Sequence, residues 1–227
     1  MKTQAVEDYL KTIHEVARTE GRVTTSAIAE RLGIAPASVT GMVKKLAELR
    51  LVSHEPYRGV TLTEAGRRIA VEVIRHHRLV ETYLHEALGV PWDRLHDEAE
   101  RWEHVLSEDI EARIDRALGF PTTDPHGAPI PTRDLVLDEP DHPPLARMEA
   151  GQKAVVAEVS DHNAALLRHF GDLGLFPGTA FEVTAAPQDE GDPFTVRLLD
   201  GPHAGQTHAL DPHAAAYVLV RDVSDER

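Results

Sequence analysis

The chain has 227 residues, long for one small module and short for three, so two domains is the natural expectation. Its formal charge of −14 argues against a nucleic-acid binder taken as a whole, but the charge is uneven: residues 1–75 carry a net +3 and residues 76–227 a net −17. The absence of cysteine excludes disulfides and thiolate metal sites, while 14 histidines leave hard or borderline metal chemistry open.

No apolar stretch approaches the roughly 20 residues of a membrane span. The start, MKTQAVEDYLKTIHEV, is amphipathic and acidic rather than a charged lead into an apolar run. A soluble, cytoplasmic chain with no membrane partner is the expectation. Along that first segment Val6, Tyr9, Leu10, Ile13 and Val16–Ala17 recur at three- and four-residue steps, which predicts a helix. TTSAIAERLG predicts a short second helix with a threonine cap and a glycine stop. IAPASVTGMVKKLAELR predicts a third, with Pro36 early and Val39, Val43, Leu46 and Leu49 facing inward. LVSHEPYRGVTLT reads as two short strands about a Pro-Tyr-Arg-Gly turn.

From Thr63 one long helix is predicted, ending at Gly89, and PWDRLHDEAERWEHVLSEDIEARIDRALG supplies one or two more. Seven of the 15 prolines fall between Gly119 and Glu149, where they exclude helix and central strand and predict a linker. Beyond it KAVVAEVS, GTAFEVTAA, PFTVRLLD and AAAYVLVRD alternate as strands, predicting a small barrel of about five.

Helix, turn, helix and wing form the winged helix-turn-helix pattern for reading double-stranded DNA. Ala35, Pro36, Ala37, Ser38 and Thr40 offer small and hydroxyl groups to base edges; Thr25, Lys44, Lys45 and the wing's Arg58 complete the candidate face, the cations for phosphates. The alternative is an all-α helix pair whose lysines are merely solvated.

Two stretches concentrate metal donors. His77 and Glu81 stand four apart on one helix face. His96, Glu100, Glu103 and His104, at i, i+4, i+7 and i+8 of a continuous helix, would share one arc, with apolar Trp102, Val105 and Leu106 interleaved to bury it. Carboxylate and imidazole suit manganese, iron or zinc. The other reading is a charged face turned to water, with Arg101 and Arg78 as ordinary helix-pair partners.

DYLKTIHE, AERLGIAPASVTGMVKKL, HHRLVETYL, HDEAERWEHVLS and DPHGAPIP resemble the diphtheria-toxin-repressor family of metal-dependent regulators, closely over about residues 4–131 and loosely over 150–223. The resemblance implies a mainly α chain with a β-rich end: a winged helix-turn-helix over 1–70, a helical metal-binding and dimerisation domain over 71–120, a linker over 121–149 and an SH3-like, FeoA-type domain over 150–227. It implies a primary metal site of Asp8, Glu100, Glu103 and His104, and an ancillary site of His77, Glu81 and His96 joined by Glu158 and Asp161. Iron-type members carry Met and Cys where this chain has Asp8 and Glu100; manganese-type members carry acids. Short two-domain manganese regulators have a second acid where this chain has Lys11, which cannot be a ligand while charged, so a three-domain arrangement with an ancillary site is expected.

The implied function is a homodimeric, manganese-responsive transcriptional repressor of metal-uptake genes, acting on a DNA operator, with no small-molecule substrate and no enzymatic activity. The competing readings are an iron-responsive regulator of the same family, a metal-dependent hydrolase using Glu103 or Glu100 as base, and an interaction protein whose acidic helices bind a basic partner.

Overall fold

The computed structural model describes residues 3–55, 59–189 and 191–223. The chain divides into two compact units, Met1–His77 with Arg101–Glu111 and Pro131–Leu137, and Arg78–Glu100 with Ala112–Ile130 and Asp138–Arg227.

The first unit opens with α1 (Gln4–Glu20), α2 (Thr25–Leu32) and α3 (Pro36–Glu48), followed by the hairpin β1 (Val52–Glu55) and β2 (Gly59–Leu62) and the start of α4 (Glu64–Leu88). The Thr24 hydroxyl accepts from the Ala27 amide and starts α2, and Gly33 stops it in the left-handed region. Pro36 opens α3, where its missing N–H costs nothing. The strands pair antiparallel with Val52 opposite Leu62 and His54 opposite Val60. Val6, Leu10, Ile13, Ile28, Val39, Val43, Leu46, Val52 and Val60 form one core, each large side chain contributing on the order of 2 kcal/mol. Leu49, expected to face inward, caps the end of α3 and is 46% exposed, because the helix stops there and the chain turns through Arg50 at φ 58°. At the foot of α4, Gly66 allows a close approach that no side chain would: a Cβ there would lie 2.0 Å from the Leu51 carbonyl oxygen.

The second unit holds the rest of α4, a 3-10 turn at Trp92–Arg94, α5 (Leu95–Trp102) up to Glu100, most of α6 (Glu108–Ala117) and a five-stranded antiparallel sheet. Its strands are β3 (Lys153–Val159), β4 (Ala180–Ala185), β5 (Phe194–Leu198), β6 (Thr207–Leu210) and β7 (Val218–Asp222), in the order β6-β5-β4-β3-β7. Four of these match the four alternating runs. The fifth, β6, is short with one buried residue, Leu210, too little alternation to see in sequence. Helices α7 (Ala164–Leu173) and α8 (Pro212–Ala215) were not anticipated either; α7 is capped by the Asn163 side chain, which accepts from Ala165 and Leu166, and stopped by Gly174. Phe170, Phe181, Val183, Val196, Leu198 and Val218 centre this core.

The proline-rich segment forms no regular strand; Asp124, His126, Ala128 and Ile130 in its first part are buried, and Pro144 bridges to Leu219. No helix among the described residues is long and apolar enough to cross a membrane.

Candidate metal centres and nucleic-acid face

The α3 pattern sorts cleanly into two sides. Val39, Val43 and Leu46 are buried, whereas Ala35, Pro36, Ala37, Ser38, Thr40, Lys44 and Lys45 are all exposed. The Thr40 hydroxyl donates to the Pro36 carbonyl at 3.1 Å, so its oxygen stays available as an acceptor. Thr25 is the half-buried first residue of α2. Arg58 lies outside the described residues.

In the first unit Asp8, Glu103 and His104 converge, with one donor atom of each within 4.8 Å of the others. Asp8 comes from α1; Glu103 and His104 follow the end of α5. The His104 ring lies between two carboxylates, Nδ1 at 2.8 Å from Glu7 Oε2 and Nε2 at 2.8 Å from Asp8 Oδ1. Glu103 Oε1 is 3.4 Å from the same Nε2, and both atoms are buried without a hydrogen-bond partner. Polar atoms that meet closely but out of hydrogen-bond alignment are what a set of ligands aimed at one cation looks like, so these residues fit a divalent ion. Glu7 adds the carboxylate that fixes a ligating imidazole by holding its other nitrogen. Burial pulls the His104 pKa down, but the carboxylates of Asp8 and Glu7 close to its two nitrogens and the charge of Glu103 outweigh it and raise it to about 9.

Glu103 is fully buried, and its other oxygen, Oε2, is 2.8 Å from Lys11 Nζ and in close contact with His77 Nδ1. His77 is thus placed beside Glu103 and Lys11 within this unit. His76 adds a bond from its Nδ1 to the Glu103 carbonyl at 3.0 Å, fixing the backbone of the ligand segment.

In the second unit Glu81, Asp124 and His126 are all buried, again with donor atoms within 4.8 Å. The Asp124 side chain accepts from the amides of His126 at 2.9 Å and Ala128 at 3.0 Å, closing a tight loop. His126 Nε2 donates to the Trp92 carbonyl at 2.9 Å, which turns Nδ1 inward, 3.6 Å from Glu81 Oε1 and without a hydrogen-bond partner. Burial lowers the His126 pKa, but Glu81 and Asp124 raise it to about 9; burial and Glu81 push the Asp124 carboxyl upward. A buried imidazole nitrogen facing two carboxylates, its tautomer set by a carbonyl, fits a second cation. Beside it, Glu81, His96 and Asp161 also come within 4.8 Å, with His96 Nδ1 at 3.2 Å from Asp161 Oδ2. Burial pushes the Asp161 carboxyl up, but His96, His162 and His126 hold it well below the usual range.

The expected one-arc cluster is therefore split. α5 ends at Trp102, so Glu103 and His104 stand past the helix, in a turn closed by the Val105 amide on the Trp102 carbonyl. The Ser107 hydroxyl and carbonyl then start α6, which is why one helix cannot run through. Trp102 and Val105 do not bury this face: they are 40% and 81% exposed, because the broken helix turns Glu103 inward in their place. Glu100 remains on α5, half exposed, with its carboxylate 4.0 Å from His96 Nε2. Glu158 is buried on β3 and joins no donor group of three among the described residues. Sequence reasoning passed over Glu7, Asp124 and His126. Glu7 had only its adjacency to Asp8 as a signal; the other two were in plain sight in DPHGAPIP, an acid and an imidazole two apart in a Pro/Gly turn.

Residues 1–60 match the iron dependent repressor N-terminal DNA binding domain, residues 63–132 the iron dependent repressor metal binding and dimerisation domain, and residues 144–222 the FeoA domain. The iron-dependent repressor IdeR of Mycobacterium tuberculosis is 34% identical over 195 residues, covering 80% of this chain and 84% of its own. A solved manganese-dependent transcriptional repressor in complex with manganese superposes with a TM-score of 0.89 at 37% identity, covering 96% of this chain and all of the other. The manganese regulator SloR follows with a TM-score of 0.78 at 28% identity, over 96% of this chain and 98% of its own. The chain belongs to the iron-dependent repressor family, the diphtheria-toxin-repressor group of metal-dependent transcriptional repressors.

Proposed function

We propose that the protein is a manganese-responsive repressor that binds its DNA operator as a homodimer in the cytoplasm, with metal as the signal. The observation that carries this is the donor chemistry: Asp8, Glu103 and His104 in one cluster and Glu81, Asp124 and His126 in the other are oxygen-rich and free of sulfur. Hard, anionic sites of this kind suit manganese, at the weak end of the divalent series. The manganese-bound repressor of similar structure supports the same reading. His77 contacts Glu103 of the first cluster and Glu100 precedes that residue by three positions, while Asp161 and His96 stand beside the second cluster; we assign them supporting ligand roles.

A divalent cation supplies a fixed centre of positive charge. Asp8 then does the mechanical work, because it is the donor that α1 contributes, and α1 shares one core with α2 and α3. Held to Glu103 and His104, it fixes the DNA-reading helices of each subunit and so the spacing of the two heads across an operator. The exposed Ala35–Thr40 end of α3 reads bases, and Lys44 and Lys45 face phosphates. Iron is the second reading, favoured by the name of the mycobacterial relative.

The test is a mobility shift on the chain's own upstream DNA with manganese, anaerobic iron, zinc or chelator. Manganese at micromolar free concentration should produce the complex and chelator should abolish it. Equal response to iron at equal free concentration would show that donor hardness does not control selectivity, a stronger response to iron would replace manganese with iron in this reading, and tight binding under chelator would sink metal dependence.

Metal uptake should also release protons. In the metal-free chain His104 is held protonated up to about pH 9, and a ligand imidazole must be neutral. Apparent affinity is therefore expected to rise with pH through 6–8, by up to about tenfold per unit for each proton lost. Calorimetry at pH 7 in buffers of differing ionisation enthalpy measures the released protons, and a pH-independent affinity would show that His104 does not give up its proton to the ion.

A further inference from the structure

Lysine is among the residues least often found buried, and where buried it is paired. Lys11 is only 7% exposed although it lies in the middle of α1, one turn from Asp8 and Glu7. Its Nζ is 2.8 Å from Glu103 Oε2 and 3.0 Å from His77 Nδ1. A carboxylate oxygen and an imidazole nitrogen are the groups by which proteins hold cations. Glu103 is divided between the two sides, Oε2 on the ammonium and Oε1 toward Asp8 and His104.

We infer that Lys11 is the chain's own cation in the first metal site, holding Glu103 and His77 in place without metal and, by its charge, setting the free-metal concentration at which the site fills. The inference rests on reading Asp8, Glu103 and His104 as that site. The physical argument has two halves. Glu103 is wholly buried, and a buried carboxylate without compensation is strongly destabilising, so the metal-free chain needs a positive charge beside it. The same charge opposes an arriving divalent ion. It shares Glu103 with that ion, and repulsion between like charges this close is little screened in a buried setting. Lys11 thus trades metal affinity for a folded, preorganised metal-free site. A residue that merely filled space would do neither.

The experiment titrates manganese chloride into full-length wild type, Lys11→Gln, Lys11→Met and Asp8→Ala by calorimetry, with thermal melts of each with and without manganese. Asp8→Ala tests the site itself: a titration identical to wild type would overturn the metal-site reading. With that control distinct from wild type, both Lys11 variants should bind manganese about tenfold or more tightly, melt lower without metal, and gain more from its addition. Affinity equal to or weaker than wild type in both would overturn the inference, since a structural staple or a ligand-positioning group gives that result. Should a variant fail to fold without metal, recovery of the folded state on adding manganese supports the counter-ion role, and failure to fold with manganese overturns it.

Discussion

Asp8→Ala is expected to abolish metal-dependent DNA binding while leaving the metal-free fold almost unchanged. The side chain is about a third exposed, so its removal opens no cavity. What it removes is the α1 donor of the first cluster. Partners one step removed from a metal are typically worth about 10–100-fold in affinity, and a direct ligand should cost at least about 100-fold. The metal-free melting temperature should fall by only a few degrees, because His104 loses one carboxylate partner, worth about 1 kcal/mol, and keeps Glu7. Calorimetry and a mobility shift check both halves. Retained manganese-dependent DNA binding in Asp8→Ala would mean that α1 is not tied down by the ion and that the DNA-reading helices are positioned by something else. The contrast with His104 is informative. His104 is nearly buried between Glu7 and Asp8, so His104→Ala should lose metal binding and some stability together.

The second large effect is expected at a glycine. Gly127 sits in the loop of Asp124 and His126 at φ 92°, and a Cβ there would lie 2.1 Å from the Ala157 carbonyl oxygen and 3.0 Å from the Glu158 Cα. Both obstacles are backbone atoms of β3, tied into the sheet, and cannot step aside. The His126 carbonyl accepts from the Val159 amide at 2.9 Å, so the loop is stitched to the same strand. Gly127→Ala should therefore cost on the order of 3 kcal/mol, from overpacking plus a strained left-handed backbone. It should also carry His126 away from Glu81 and lower metal occupancy at the second cluster. Denaturant unfolding and the metal stoichiometry of the folded protein measure the two consequences. A Gly127→Ala protein of wild-type stability would show that β3 yields to the loop. His126→Ala, which leaves the backbone alone, should reduce occupancy without the full stability loss and so separates ligand loss from loop displacement.

Much of this molecule is legible in its residues one segment at a time. The three-helix head with its wing follows from apolar spacing, from Thr24 and Gly33 at the ends of α2 and from Pro36 at the start of α3. These are local causes: a capping hydroxyl, a left-handed stop and a helical period act within a turn or two of where they are written. The long α4 ending before Gly89 and four of the five sheet strands follow for the same reason. The absence of cysteine and the split in charge likewise restrict the chemistry before any fold is known.

What the tertiary structure alone decided is which donors meet. His96, Glu100, Glu103 and His104 look like one helical face only if the helix continues, and a serine cap at Ser107 ends that possibility. Glu103 then turns inward to Lys11 and His77, residues 92 and 26 positions away in sequence. Asp124 and His126 lie in a segment whose prolines say only that it is irregular. Their closeness to Glu81 depends on the fit of Gly127 against β3 and on the Trp92 carbonyl that orients the ring. Periodicity specifies a face within one element, because side chains repeat at fixed angles along it. It does not specify which faces converge, since that depends on where elements stop and how closely their backbones approach.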